Sequence, residues 1–128
     1  MIRISVPDDF SFDQCLAFLD RGYDECLYQI KDRKILKLLE INHELVLCEI
    51  SHEKQILIVK ALVGNTSEDL KNYIIDWLDI NKNLSPFYDL LLNVDELKFL
   101  QSDFYGLRLI GIPDLFEALC WSIIGQQI

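Results

Sequence analysis

The sequence predicts an α+β fold: a small antiparallel β-sheet with flanking helices, followed by the start of an all-α unit. Three observations predict it. Between residues 25 and 62, four runs rich in Ile, Leu and Val follow one another with only short polar links between them, the spacing of an antiparallel meander. Ahead of them, Phe12, Cys15, Leu16 and Leu19 fall at i, i+3, i+4 and i+7, the stripe of an amphipathic helix. Beyond residue 64 helical patterns dominate, ending in Leu115–Ile124, which is apolar on nearly every side and therefore suited to packing on several neighbours.

Each element has a local reason. Ile2, Ile4 and Val6 alternate with Arg3 and Ser5, the period of a half-buried strand, and Pro7 with Asp8-Asp9 ends it. Ser11 or Asp13 is available to cap the first helix, and Gly22 closes it. The strands of the meander are Glu25–Lys31, Lys34–Ile41, Leu45–Ile50 and Gln55–Leu62, linked by Asp32-Arg33, Asn42-His43-Glu44 and Ser51-His52-Glu53-Lys54, with Ile2–Val6 expected at an edge. Asp-Arg is not a favoured two-residue turn, so the first hairpin is the least determined in register. Thr66-x-x-Asp69 reads as a capping box before Leu70, Tyr73, Ile74, Trp77 and Leu78. Ser85-Pro86 supplies an N-cap and an N1 proline for a helix through Leu92, and Asp95–Leu100 offers a further short one. Asp114, with Glu117 three residues on, caps the last helix.

At 128 residues the chain has room for one domain, or one domain and a piece of another. The apolar final helix runs into Gly125-Gln126-Gln127-Ile128 with nothing after it to cover it, so the sequence reads as a fragment of a longer protein. In isolation that helix is expected to hide by self-association or by folding back on the sheet. Twelve basic against 21 acidic residues give a net charge of −9, which disfavours a free-standing, non-specific nucleic-acid binder. No apolar run approaches the roughly 18 residues of a membrane span, and the amino terminus lacks a secretory signal, so no membrane partner is expected and the cytoplasm is the expected compartment.

The residues able to carry chemistry point mostly to structural roles. Cys15, Cys26, Cys48 and Cys120 are scattered without metal-like spacing and read as small buried hydrophobes; no metal or other cofactor is expected. The acidic pairs Asp8-Asp9, Asp24-Glu25, Glu68-Asp69 and Asp95-Glu96 sit at element boundaries and read as solvated faces and helix starts. His43 and His52 read as surface turn residues. Phe18 is the exception to its helix: it points roughly 110° away from the centre of the apolar stripe. Periodicity leaves three places for it: solvent, a packed loop or a second domain.

The string Pro113-Asp114-Leu115-Phe116-Glu117-Ala118-Leu119, followed by Ile123-Ile124-Gly125-Gln126-Gln127-Ile128, resembles the opening of the helix-hairpin-helix DNA glycosylase domain. Gly106-Leu107-Arg108-Leu109 is similar to the strand leading into that domain in the bacterial 3-methyladenine DNA glycosylase II family. Phe10-Ser11-Phe12 and Leu16-Ala17-Phe18-Leu19 resemble that family's amino-terminal accessory domain, which is like the TATA-binding protein in fold. The resemblance implies the non-catalytic amino-terminal segment of an enzyme that flips an alkylated base out of damaged double-stranded DNA and hydrolyses its N-glycosidic bond. It further implies that residues 1–104 are the accessory domain and 105–128 the opening of a truncated helix-hairpin-helix domain, and that Phe18 lends an aromatic face to the base pocket. Gln126 and Gln127 match positions that enter the duplex, with a polar amide at Gln127 in place of an apolar wedge; a fraying helix end is the plainer reading of both. The catalytic aspartate and the hairpin that grips the DNA backbone are expected downstream of Ile128, in the catalytic domain of the same chain, leaving this segment inactive alone. The competing reading, from a different class, is a stand-alone α+β interaction module docking on a partner protein through Leu115–Ile124.

Overall fold

The computed structural model describes residues 1–20 and 26–127. It contains a five-stranded antiparallel sheet of β1 (Ile2–Ser5), β2 (Tyr28–Lys31), β3 (Lys34–Ile41), β4 (Glu44–Glu53) and β5 (Ile56–Val63), in the order β1-β5-β4-β3-β2. The helices are α1 (Phe12–Leu19), α2 (Glu68–Trp77), α3 (Ser85–Leu92), α4 (Lys98–Asp103) and α5 (Leu115–Gln127). Strands β2 to β5 form the expected meander, and β1 closes the edge beside β5, pairing Ile4 with Leu57. Gly22, Asp24 and Glu25, assigned above to a helix end, an acidic pair and a strand start, lie outside the described residues.

Pleating decides which side chains are buried. Ile35, Lys37 and Leu39 face the same side as their partners Ile50, Cys48 and Val46, and Ile50 in turn opposes Val59. The apolar members of this set pack against Phe12, Cys15, Leu16 and Leu19 of α1 and Leu70, Ile74 and Trp77 of α2 in one core. Slipping any strand by one residue would turn its whole apolar set outward. This fixes the first hairpin despite its unfavoured loop: Lys31 opposes Lys34, and Asp32 and Arg33 both take positive φ (50° and 58°), as a type I′ turn requires.

Several element ends differ from the sequence reading. Strand β4 starts at Glu44 and runs on through Ser51, His52 and Glu53, so the loops are Asn42-His43 and Lys54-Gln55. His52 pairs with Leu57 and sits between the rings of Phe10 and Phe12 (centroids 6.1 and 5.6 Å), so it is a half-buried strand residue and not a surface turn histidine. His43 is in a turn, exposed beside Glu40. Helix α1 is capped by Ser11, whose Oγ accepts from the Gln14 amide at 3.2 Å. Ser67, and not Thr66, caps α2, accepting from Leu70 N, while Asp69 accepts from Asn42 Nδ2. Helix α3 begins one residue early: Ser85 is already helical and donates its N–H to Asn83 Oδ1, leaving Pro86 in the first turn, where its missing N–H costs nothing. The segment expected as one helix from Asp95 is a 3₁₀ turn, Asp95–Leu97, continuing into α4. Asp114 caps α5 as expected, accepting from Glu117 N at 2.7 Å.

Two of the four cysteines follow their reading. Cys15 and Cys48 are buried and burial pushes both thiols up to about 11, whereas Cys26 is exposed and Cys120 is partly so. Lys37 is the buried cation of the sheet, with its Nζ 4.8 Å from the centre of the Trp77 ring and 5.8 Å from that of Tyr28.

Candidate functional site

The candidate residues stand at the ends of two helices. Helix α1 is pinned at its start, where Ser11 N donates to Gly106 O at 3.0 Å and Gln14 Nε2 donates to Asp103 O at 2.8 Å. At its end the Tyr28 hydroxyl donates to Leu19 O. Phe18 lies on this fixed helix, off the buried stripe and 38% exposed, as the 100° period predicts. Gln126 is exposed near the end of α5, and Gln127 is that helix's last residue. The structure thus places Phe18 on α1 and the two glutamines on α5.

Helix α5 does not fold back on the sheet. Phe116 is 77% exposed, and Leu115, Leu119, Trp121, Ile123 and Ile124 are also open. Its approach and first turn are anchored: Gly111 N donates to Trp77 O at 2.8 Å, and burial followed by the nearby Glu117 and Asp114 carboxylates pushes the Tyr73 hydroxyl up to about 12. An apolar groove of about 590 Å³ lies along α3 and α4, lined by residues including Phe87, Leu100, Phe104 and Leu109. A more polar cleft of about 550 Å³ is lined in part by Asp8, Asp9, Asn81, Lys82 and Tyr105. Neither is lined by Phe18 or Gln126.

The segment before α5 is not a strand. Residues 107–113 form no ladder and are held instead by Arg108, whose side chain is 0% exposed. Its Nη2 donates to the Asp9 carboxylate at 2.5 Å and to Asp9 O at 3.1 Å, and its Nη1 donates to Lys82 O. Its Nε, also buried, has no hydrogen-bond partner among the described residues. Asp9 is therefore not the solvated acid of a boundary pair but the counter-ion of a buried guanidinium. The available signal was Arg108 itself, a lone charge in the otherwise apolar run Gly106–Ile112. Burial of Lys37 had a similar signal, since it occupies an inward position in the alternation of β3.

Comparison with known proteins gives this geometry a context. Residues 8–119 match the family described as the 8-oxoguanine DNA glycosylase N-terminal domain. A DNA-3-methyladenine glycosylase of Bacillus subtilis (strain 168) is 39% identical over 136 aligned residues, covering 100% of this chain and 45% of that protein. The solved 3-methyladenine DNA-glycosylase from Archaeoglobus fulgidus superposes with a TM-score of 0.81 over 100% of this chain and 45% of its own, a likeness of fold at 19% identity. The chain spans about half the length of these relatives. With the family match running from residue 8 through β2–β5 and the segment leading into α5, the chain belongs to the 8-oxoguanine DNA glycosylase N-terminal domain family.

Proposed function

We propose that this chain is the non-catalytic amino-terminal part of a DNA glycosylase that releases alkylated bases from duplex DNA by hydrolysing the N-glycosidic bond. The observation that carries this reading is the 39% identity, along the whole chain, to a protein named for 3-methyladenine. In such an enzyme the damaged nucleotide is rotated out of the stack into a pocket, which needs an aromatic or apolar surface for the base and a filler for the gap. Phe18, a partly exposed aromatic on a helix pinned at both ends, is the residue proposed to face the base. Gln126 and Gln127 are proposed to enter the duplex. The domain division near residue 104 belongs to the same reading, with the catalytic acid and the backbone-gripping elements on a further domain that covers α5. A cytoplasmic setting suits cysteines that are all free.

The test compares the 128-residue chain with the product of the full reading frame that encodes it, on duplexes carrying 3-methyladenine, 8-oxoguanine or no lesion. The full product is expected to release the alkylated base, and the 128-residue chain to release none. Release by the short chain at a comparable rate would overturn the assignment of a non-catalytic part. Release of 8-oxoguanine alone would overturn the substrate.

A further inference from the structure

We infer that Arg108 is a positioning residue that sets Phe18 against the flipped base by locking the approach to α5 onto the start of α1. The inference rests on the function proposed above. Three chain segments far apart in sequence meet on this one guanidinium: the loop before α1 through Asp9, the α2–α3 link through Lys82, and the approach to α5 through Arg108 itself. Neighbouring contacts join the same parts. Ser11 N donates to Gly106 O, Gln14 Nε2 donates to Asp103 O, and the Arg108 backbone lies against the Cys15 thiol inside α1. A displacement of residues 106–108 is therefore passed to α1, which carries Phe18 two turns on.

The bonding pattern suits alignment. A planar guanidinium with one carboxylate and two carbonyl acceptors is fixed in direction as well as distance, whereas an apolar contact would let the segments slide. Lysine at this position keeps the charge but has no planar fork to reach Asp9 and Lys82 together.

The test is a double-mutant cycle in the full-reading-frame protein, reading single-turnover release of 3-methyladenine, duplex affinity and melting temperature. Arg108→Lys is expected to lower the maximal release rate by about tenfold or more, the scale of a small misplacement of reacting groups, with duplex affinity within about twofold. In a Phe18→Ala background the same substitution is expected to change the rate by less than about twofold, because the group it positions is gone. Asp9→Asn, which keeps the Asp9 carbonyl and loses only the carboxylate charge, runs the same cycle should Arg108→Lys not fold. An unchanged rate, or an equal loss with and without Phe18, would overturn the inference and leave Arg108 a purely structural residue. A full-length protein that releases no alkylated base would overturn the proposed function, and this inference with it.

Discussion

Replacing Gly106 by alanine strikes the joint between α1 and the approach to α5 without touching a charge. Gly106 has φ +80°, and a Cβ there would lie 2.7 Å from both Cβ and N of Ser11 and 3.1 Å from the Phe10 carbonyl carbon. None of these is the far end of a flexible side chain, so the backbone itself must move. The left-handed conformation costs an L-residue roughly 1–2 kcal/mol. Overpacking adds about 1–3 kcal/mol, and the bonds from Ser11 N to Gly106 O and from Gly106 N to the Tyr88 hydroxyl are strained together. About 3–4 kcal/mol of folding stability is therefore at stake, which for a chain of this size lowers the melting temperature by about 10 °C or more. Gly125→Ala is the matched control, since a Cβ there meets nothing within 4 Å and its backbone is helical, where alanine is favoured by up to about 1 kcal/mol. Both variants can be melted in the 128-residue chain by circular dichroism. A Gly106→Ala protein melting within about 3 °C of the parent would refute the reasoning, because neither the positive φ nor the contact with Ser11 would then be a real constraint.

Phe18→Ala in the full-length protein is expected to cost only about 1–2 kcal/mol of stability, below the 3–5 kcal/mol of a core phenylalanine, because part of the ring is already in water; single-turnover base release should fall further than stability does, and a large drop in melting temperature with normal release by the folded fraction would make it a core residue. Burial holds the His52 imidazole below its ordinary value of 6.5, with the Asp13 carboxylate opposing and Arg33 reinforcing the shift. The charged form is thus disfavoured in the fold, and the contribution of neutral His52 is complete above pH 6.5 and lost as pH falls through the lowered value. Urea midpoints between pH 7.5 and 5 should fall more steeply for the parent than for His52→Gln; parallel slopes would contradict this. The 128-residue chain, at net −9, is expected to bind duplex DNA weakly and to lose it by physiological salt, as fluorescence anisotropy would show; a salt-resistant micromolar complex would count against it. Sedimentation of the same chain should show concentration-dependent association through α5, and a strict monomer with water-exposed Trp121 would exclude that.

What the sequence made legible was whatever depends on period. The inward residues of the meander, the buried stripe of α1 and the outlying Phe18 all follow from 2.0- and 3.6-residue repeats, which hold wherever one face of an element is buried. Ends were less legible because neighbouring residues compete for the same role: Thr66 and Ser67 can both cap α2, and the register of the first turn chooses Ser67. Polar residues inside β4 concealed its length, since Ser51, His52 and Glu53 read as a loop until Phe10 and Phe12 are placed over His52. The Arg108–Asp9 pair was out of reach of any local pattern, its partners being separated by 99 positions. Spacing alone likewise offered three places for Phe18, and the structure shows it partly exposed on a helix held at both ends.

Energetics also bear on why a charge occupies the joint at all. Apolar residues packed in the same volume often match or exceed a buried ion pair in stability, because desolvation offsets most of the Coulombic gain. A joint selected for stability alone would be expected to be apolar, as the groove beside it along α3 and α4 largely is. Directional bonds from one guanidinium to Asp9 and Lys82 instead specify how the loop before α1, the α2–α3 link and the approach to α5 are oriented. In an acidic domain that offers duplex DNA little electrostatic attraction, such orientation is the contribution its buried chemistry is best suited to make.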